Sequence, residues 1–500
     1  MNPRIYAPVL VSALLSVNAL ANVLEEVIVT SSLIDQTLSD IENPLHVISG
    51  EEISATASQS LGESLDGLLG VSSADYGSGV GQPIIRGMSG NRVKILNNGM
   101  VVRDVAGIGV DHVNDVDLNN IQQIEIVRGP SSLLYANGTI GGIINIVDST
   151  IAREDFAESE LKLGLEAQSV NDGDSHNLSY QNNLGGLNFS FAYKDSQFDN
   201  FDVPTGAILH DEDHEDEHED EHEDEHEDEH EEELGFLSNS DFENKALRLG
   251  VSKAGDWGYF GVSVNSVESI YGIPFHGDEH GEEHEGEEHE DDHEGEEHEE
   301  DHEGEEHGDE HEGERIFSTT DSEVVNLEGA YIVSNSWLKK VNYFIRDTDY
   351  SLTEQHAEEE HEGEEHEGEE HGDEDHAEGP TMFSNESREY GAIFDLSNDD
   401  LLQKISLNFV DEDMSILGEE AFMNPTASEE MTLGYYLSKE VDSFHLDLGI
   451  RHDRTSRKGS VSHKEEHDEH EEEHHDEREE EQHDEEMDYF SKDYNATSFA

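Results

Sequence analysis

Ile124-Glu-Ile-Val-Arg-Gly-Pro-Ser-Ser-Leu-Leu-Tyr-Ala-Asn-Gly-Thr-Ile-Gly-Gly-Ile-Ile-Asn-Ile-Val147 reads as a strand, a tight turn, a short helix, a glycine turn and a second strand. Ile124, Ile126 and the run from Ile143 to Val147 supply β-branched strand residues. Arg128-Gly129-Pro130 forces a turn, and Gly138, Gly141 and Gly142 permit backbone angles that other residues resist. The residues predict a compact α+β element.

Upstream, Leu61, Leu65, Leu68 and Leu69 recur at helical spacing after Ser60, a candidate cap, and Gly70 can end that helix. Val93 to Leu96 and Met100 to Val102 flank Asn97-Asn-Gly99, a strong hairpin signal. The Ile124 stretch and the earlier Gln82-Pro-Ile-Ile-Arg-Gly-Met-Ser-Gly90 together resemble the plug-domain signature of TonB-dependent outer-membrane receptors. The resemblance implies an α+β plug over residues 33–150, followed by an antiparallel transmembrane β-barrel. Ahead of it, within residues 22–32, Glu26, Val27, Ile28, Val29 and Thr30 look like a TonB box. In that family the box is a flexible strand that pairs edge to edge with the energising TonB protein, so main-chain hydrogen bonds carry the force.

The N-terminus supplies an address. Arg4, the apolar run Val9 to Leu20 and the ending Ala19-Leu-Ala21 fit a secretory signal over residues 1–21. No later stretch approaches the roughly 20 apolar residues of a spanning helix. Instead, candidate strands recur at Glu160–Ala167, His176–Leu184, Leu187–Gln197, Glu243–Lys253, Trp257–Ser269, Ser322–Val333, Trp337–Ser351, Ser387–Leu396, Leu401–Val410, Met431–Lys439 and Phe444–Arg454. Every long insertion follows an odd-numbered strand in this series, and tight turns such as Ala254-Gly-Asp256 and Asn398-Asp-Asp400 follow even-numbered ones. In an up-and-down barrel all the insertions then leave one face, the asymmetry of outer-membrane barrels. Family barrels have about 22 strands and this chain has room for about half of them, so it is expected to be a C-terminally truncated fragment with an incomplete barrel. The expected location is the outer membrane, with lipid around the barrel.

Charge narrows the partners. The chain has 26 Lys+Arg against 123 Asp+Glu, a formal charge of -97, which excludes nucleic acid and favours divalent cations. With no cysteine, a metal must be held by imidazole and carboxylate. The acidic insertions at 210–233, 276–314, 354–379 and 463–487 supply both. All of the 31 histidines except His46, His112, His176, His445 and His452 lie in these tracts. Among them His214, His218 and His222 recur every four residues; His280, His284 and His289, His361 and His366, and His467 and His470 are the candidate ligands of the other three tracts. Imidazole beside carboxylate suits zinc first, then nickel, cobalt or copper, rather than hard oxygen-only cations. Without metal such acid blocks are expected to be solvated and self-repelling.

A transport site should be tighter than these tracts. Asp111-His112 precedes Asp115 and Asp117 just before the Ile124 motif and offers both ligand types. This pair, the histidine-rich loops and Gly418-Glu-Glu-Ala-Phe-Met-Asn-Pro-Thr426 look like the zinc-uptake subgroup of the receptors. That resemblance implies zinc as the transported ligand, with His112, Asp111 and Glu420 as candidate ligands. His445 and His452 are expected to be structural. A haem or siderophore receptor and a metal-buffering surface protein are the competing readings. No phosphate loop, nucleophile elbow or His-Glu-x-x-His helix points to an enzyme.

Overall fold

The computed structural model describes residues 28–31, 34–37, 46–56, 58–77, 79–136, 138–204, 235–274, 315–333, 337–356, 379–398, 400–418, 421–441, 444–462 and 487–500. The first strands are β1 (Ile28–Ser31) and β2 (Ile34–Thr37), which pair with each other antiparallel. The plug follows: β3 (His46–Ser49), α1 (Gly50–Thr56), α2 (Leu61–Leu65), β4 (Val71–Tyr76), β5 (Val80–Ile85), β6 (Val93–Asn97), β7 (Met100–Val101), β8 (Ile121–Val127) and β9 (Gly142–Asp148).

The Ile124 stretch folds as its residues predict. β8 and β9 pair antiparallel around a 3-10 turn at Pro130–Leu134, in a sheet of order β3-β8-β9-β6-β7. Gly129 takes φ 86° and Gly142 φ 130°, backbone that glycine adopts without a Cβ clash. Asn98 and Gly99 both have positive φ, which is the turn the β6–β7 hairpin needs. Ile124, Ile126, Ile144 and Ile146 pack with Leu61, Leu65 and Ile85 in the plug core. The helix after Ser60 is shorter than the leucine spacing predicts. Ser60 Oγ accepts from the Glu63 amide, but the helix ends at Leu65 because Asp66 is already extended; Gly67 then turns to positive φ, so that Leu68 still packs on the core while Leu69 is exposed.

The second unit is a single antiparallel sheet of 12 strands. In order these are β10 (Glu160–Gln168), β11 (Gly173–Asn183) and β12 (Asn188–Phe198). A short hairpin of β13 (Phe201–Asp202) and β14 (Phe236–Leu237) intervenes. The sheet resumes with β15 (Phe242–Gly255), β16 (Gly258–Gly272), β17 (Ile316–Ile332), β18 (Lys340–His356), β19 (Thr381–Asp395), β20 (Leu402–Leu417), β21 (Thr426–Val441), β22 (Phe444–Ser462) and β23 (Met487–Phe499). Each strand neighbours the next in sequence, and β10 and β23 are the two edges.

Several strands run farther toward the insertions than the sequence suggests. β18 reaches His356 because β17 pairs with it out to Ile316, so residues 354–356 belong to the wall and not to an insertion starting at 354. Met487, expected to close the fourth insertion, likewise opens β23. The tracts 205–234, 275–314, 357–378 and 463–486, with all their candidate histidines, lie outside the described residues.

The sheet is inside out by the standard of a soluble protein. Inward positions are polar and buried, including Arg248, Asn326, Arg346, Glu389, Thr432 and Arg451. Outward positions include Leu249, Val264, Val325, Ile345, Tyr390, Phe409 and Met431, all exposed. An apolar exterior around a polar lumen is the pattern of a lipid-facing barrel. Toward the insertion end the exterior turns charged, with Glu268 in register with Asp321 and Glu323 with Asp349. The plug lies against the inward face. Arg248 pairs with Asp117 at 3.0 Å and Asp148 at 3.5 Å, and Arg346 reaches the carbonyls of Met100 and Val101, each at 3.3 Å.

Candidate functional site

The plug segment between β7 and β8 is held under the insertion end of the barrel. Its apolar residues Val105, Ile108 and Val113 pack with Tyr271, Tyr350, Leu352 and Phe383 from the wall. Asp104 ties its base, accepting from the amides of Ala106 at 3.2 Å and Asp115 at 3.0 Å. Gln82 Nε2 lies 2.8 Å from the carbonyl oxygen of Ala106, 2.7 Å from that of Gly109 and 2.9 Å from that of His112. The glutamine that opens the second plug motif therefore shapes the segment carrying Asp111 and His112.

His112 is buried and oriented from two sides. Its ring meets Phe383 edge-on, with centroids 4.9 Å apart, and its Nδ1 stands 3.2 Å from the carbonyl oxygen of Val105. A carbonyl only accepts, so Nδ1 is the donor of that bond and Nε2 is the nitrogen left to face a metal. Asp111, His112 and Glu354 of β18 each offer a ligand atom, and those atoms lie within 4.8 Å of one another. Gly109 leaves the room between them. A Cβ there would stand 2.5 Å from Asp111 Oδ1 and 3.1 Å from His112 Nε2. One imidazole and two carboxylates, with positions left for water, form a donor set suited to zinc and similar transition metals.

Sequence reasoning named Asp111 and His112 and missed Glu354. The signal was present in Glu354-Gln-His356, but it was absorbed into the adjoining acidic tract. Glu420 lies outside the described residues, as do Glu26 and Val27 of the expected TonB box; Ile28, Val29 and Thr30 fall in β1. His445 lies elsewhere, with Nε2 at 2.9 Å from Ser438 Oγ and 3.0 Å from Asp447 Oδ1, and His452 is exposed beside Thr497. Beneath the cluster, burial pushes Asp115 up to about 7, against a hydrogen bond from Ser322 Oγ and with help from neighbouring Asp104. Burial raises Asp104 as well.

Residues 37–143 match the TonB-dependent Receptor Plug Domain. The chain carries a TonB-dependent receptor plug. The vitamin B12 transporter BtuB of Photobacterium profundum is 30% identical over 132 residues, 26% of this chain and 22% of that protein. BtuB of Vibrio vulnificus is 28% identical over 185 residues, 36% of this chain and 30% of that protein. Among solved structures, the copper transporter OprC superposes with a TM-score of 0.60 at 13% identity, covering 91% of this chain and 61% of OprC. The FrpB iron transporter of Neisseria meningitidis gives 0.55 at 11%, covering 91% and 61%. The Serratia marcescens hemophore receptor HasR gives 0.58 at 12%, covering 92% and 60%. The plug and the antiparallel barrel sheet share one fold with these three solved structures. The chain spans about three-fifths of the solved structures' length and under a third of the curated relatives'.

Proposed function

We propose that this protein is a TonB-energised outer-membrane importer of a divalent transition metal, with zinc the foremost cargo. The grouping of Asp111, His112 and Glu354 at the insertion end of the lumen carries the reading. Glu354 stands nine residues beyond Ile345 on β18, about 30 Å along the strand, on the outer side of the apolar belt. A cation gathered by the acidic histidine tracts would therefore meet these three ligands before any part of the plug that lies within the apolar belt. His214, His218, His222, His280, His284, His289, His361, His366, His467 and His470 are proposed as weaker collecting ligands, and Glu420 as a further ligand from the β20–β21 connection. No step in this scheme is catalytic: binding, release and plug movement suffice.

The proposed partner is the TonB complex, engaging residues 26–30. Ile28 to Ser31 pair with Ile34 to Thr37, so the segment already adopts the extended form that strand addition requires. The test is accumulation of zinc, nickel, iron and haem by zinc-starved cells. Zinc uptake that falls with His112→Ala and with Val27→Pro supports the reading. Proline removes an amide from the added strand. Haem or iron uptake indifferent to His112→Ala would overturn it.

A further inference from the structure

The wall carries a second imidazole and carboxylate pair, at the end of the barrel opposite the insertions. His445 and Asp447 stand on the inward face of β22, just past the tight connection at which Val441 pairs with Phe444. This end is far from Asp111, His112 and Glu354. β20 runs from Leu417, paired with Met382 at the insertion end, to Leu402, paired with Ser438 beside His445, about 50 Å along the strand.

His445 Nε2 lies 3.0 Å from Asp447 Oδ1 and 2.9 Å from Ser438 Oγ, and the Tyr436 hydroxyl donates to the same Asp447 oxygen at 3.0 Å. Ser438 and Tyr436 are buried, whereas His445 and Asp447 each keep 18% of their side-chain surface, so the pair is braced from the wall and reachable from the lumen. Glu440 is exposed and stands directly across from His445 in the β21–β22 register, a placement that puts Cβ atoms about 5 Å apart on one face. Nε2 has at most one hydrogen to share between two oxygens. A transition-metal ion bound at about 2.1 Å by imidazole and carboxylate holds those atoms about 3.3 Å apart, so it replaces that hydrogen with a shift of a few tenths of an ångström. Tyr436 then orients the carboxylate from behind. Lys404 stands in register with Tyr436 but also with Asp395, whose carboxylate offsets its charge.

The plug borders this pair. Two residues farther along the same face, a Cβ on Gly449 would stand 2.5 Å from the carbonyl oxygen of Pro130, and Arg451 Nη1 donates to the carbonyl of Leu133 at 3.3 Å. Tyr436 packs with Leu134, Tyr135 and Ala136 of the plug. An ion that passes the Pro130–Leu134 turn along this wall meets His445 and Asp447 next. We propose that His445, Asp447 and Glu440 form an exit site that takes a divalent transition-metal ion below the plug, before it leaves the lumen. The class of ion follows from imidazole beside carboxylate. That the ion arrives from the Asp111, His112 and Glu354 cluster rests on the metal-import reading.

The test is copper-catalysed oxidation of the full chain in detergent micelles, with copper(II), ascorbate and peroxide, and peptide mass spectrometry to read oxygen added to each histidine. A bound copper ion generates radicals where it sits, so oxidation marks its ligands. His445 should be oxidised far more than His452, which is exposed on the same strand beside Thr497. Zinc should suppress the reaction at His445, and Asp447→Asn, which keeps an acceptor for Tyr436, should lower it at least tenfold, with a smaller loss for Glu440→Gln. Oxidation of His445 no greater than that of His452, or indifferent to Asp447→Asn, overturns the proposal. Zinc-suppressed oxidation at His112 but not at His445 removes the exit site and leaves the import reading standing. The reverse pattern sustains the exit site and removes the cluster on which that reading rests.

Discussion

The carbonyl oxygen of Val105 stands 3.2 Å from His112 Nδ1 and so fixes which imidazole nitrogen faces Asp111. A plug backbone atom thereby orients an imidazole whose ligand atom lies within 4.8 Å of those of Asp111 and a barrel side chain, Glu354, the three proposed to hold the cation. Because the cluster joins plug to wall, occupancy would be felt on both sides of that interface.

Glu354→Gln keeps the side chain's volume and removes its charge. We expect the tightest zinc site to weaken by on the order of tenfold or more, with the barrel intact. Competition with a chromogenic chelator, alongside heat-modifiability on gels, checks both halves; unchanged zinc affinity would remove Glu354 from the site.

Gly109→Ala tests the space between ligands. Gly109 is not among the glycines with positive φ, so its backbone accepts a side chain, and the effect comes from the methyl group 2.5 Å from Asp111 Oδ1. Zinc affinity should fall while thermal stability stays near that of the parent. A variant that binds zinc normally would mean Asp111 does not hold the ion.

Arg248→Ala leaves Asp117 and Asp148 buried without their cation. Removing one member of a buried ion pair costs about 3–5 kcal/mol. The plug should become protease-sensitive and the denaturation midpoint should drop. Double substitution with Asp117→Asn should recover part of the loss, a recovery that a packing defect alone would not show.

Glu125 is fully buried in the plug sheet, held by Gln123 Nε2 at 2.6 Å and Asn145 Nδ2 at 3.2 Å, and burial pushes it up to about 7 from 4.5. Between those values the folded plug keeps a proton that the unfolded chain has released, so this group's contribution to stability declines as pH rises through that window. Glu125→Gln removes the decline. Relative to the parent, the variant should gain on the order of 3 kcal/mol between pH 4.5 and pH 8, from the size of the shift. Parallel stability profiles for the two proteins would show that Glu125 does not titrate in this way.

Much of this architecture is written locally. Asn97-Asn-Gly99 makes its hairpin because the turn needs two positive φ angles, a requirement met within those residues. The β8 to β9 stretch and the alternation of the wall strands are equally local, since strand faces follow a period of two residues. The leucines after Ser60 misled because spacing records what a helix could bury. The helix ended at the extended Asp66, and Gly67 turned the chain before Leu69 could be used.

Sequence alone determined the plug, the lipid-facing strands, the side on which the acidic histidine tracts emerge, and Asp111-His112 as a pair. Each depends on neighbours along the chain or on composition. Tertiary structure alone decided that Glu354, more than two hundred residues from His112 and separated from it by several strands, brings its carboxylate within 4.8 Å of the ligand atoms of Asp111 and His112. It also decided that Lys94 of the plug and Arg457 of the wall line one cavity. Such pairings arise when a plug is seated against a wall, and the contact between two surfaces leaves no periodic trace in either of their sequences.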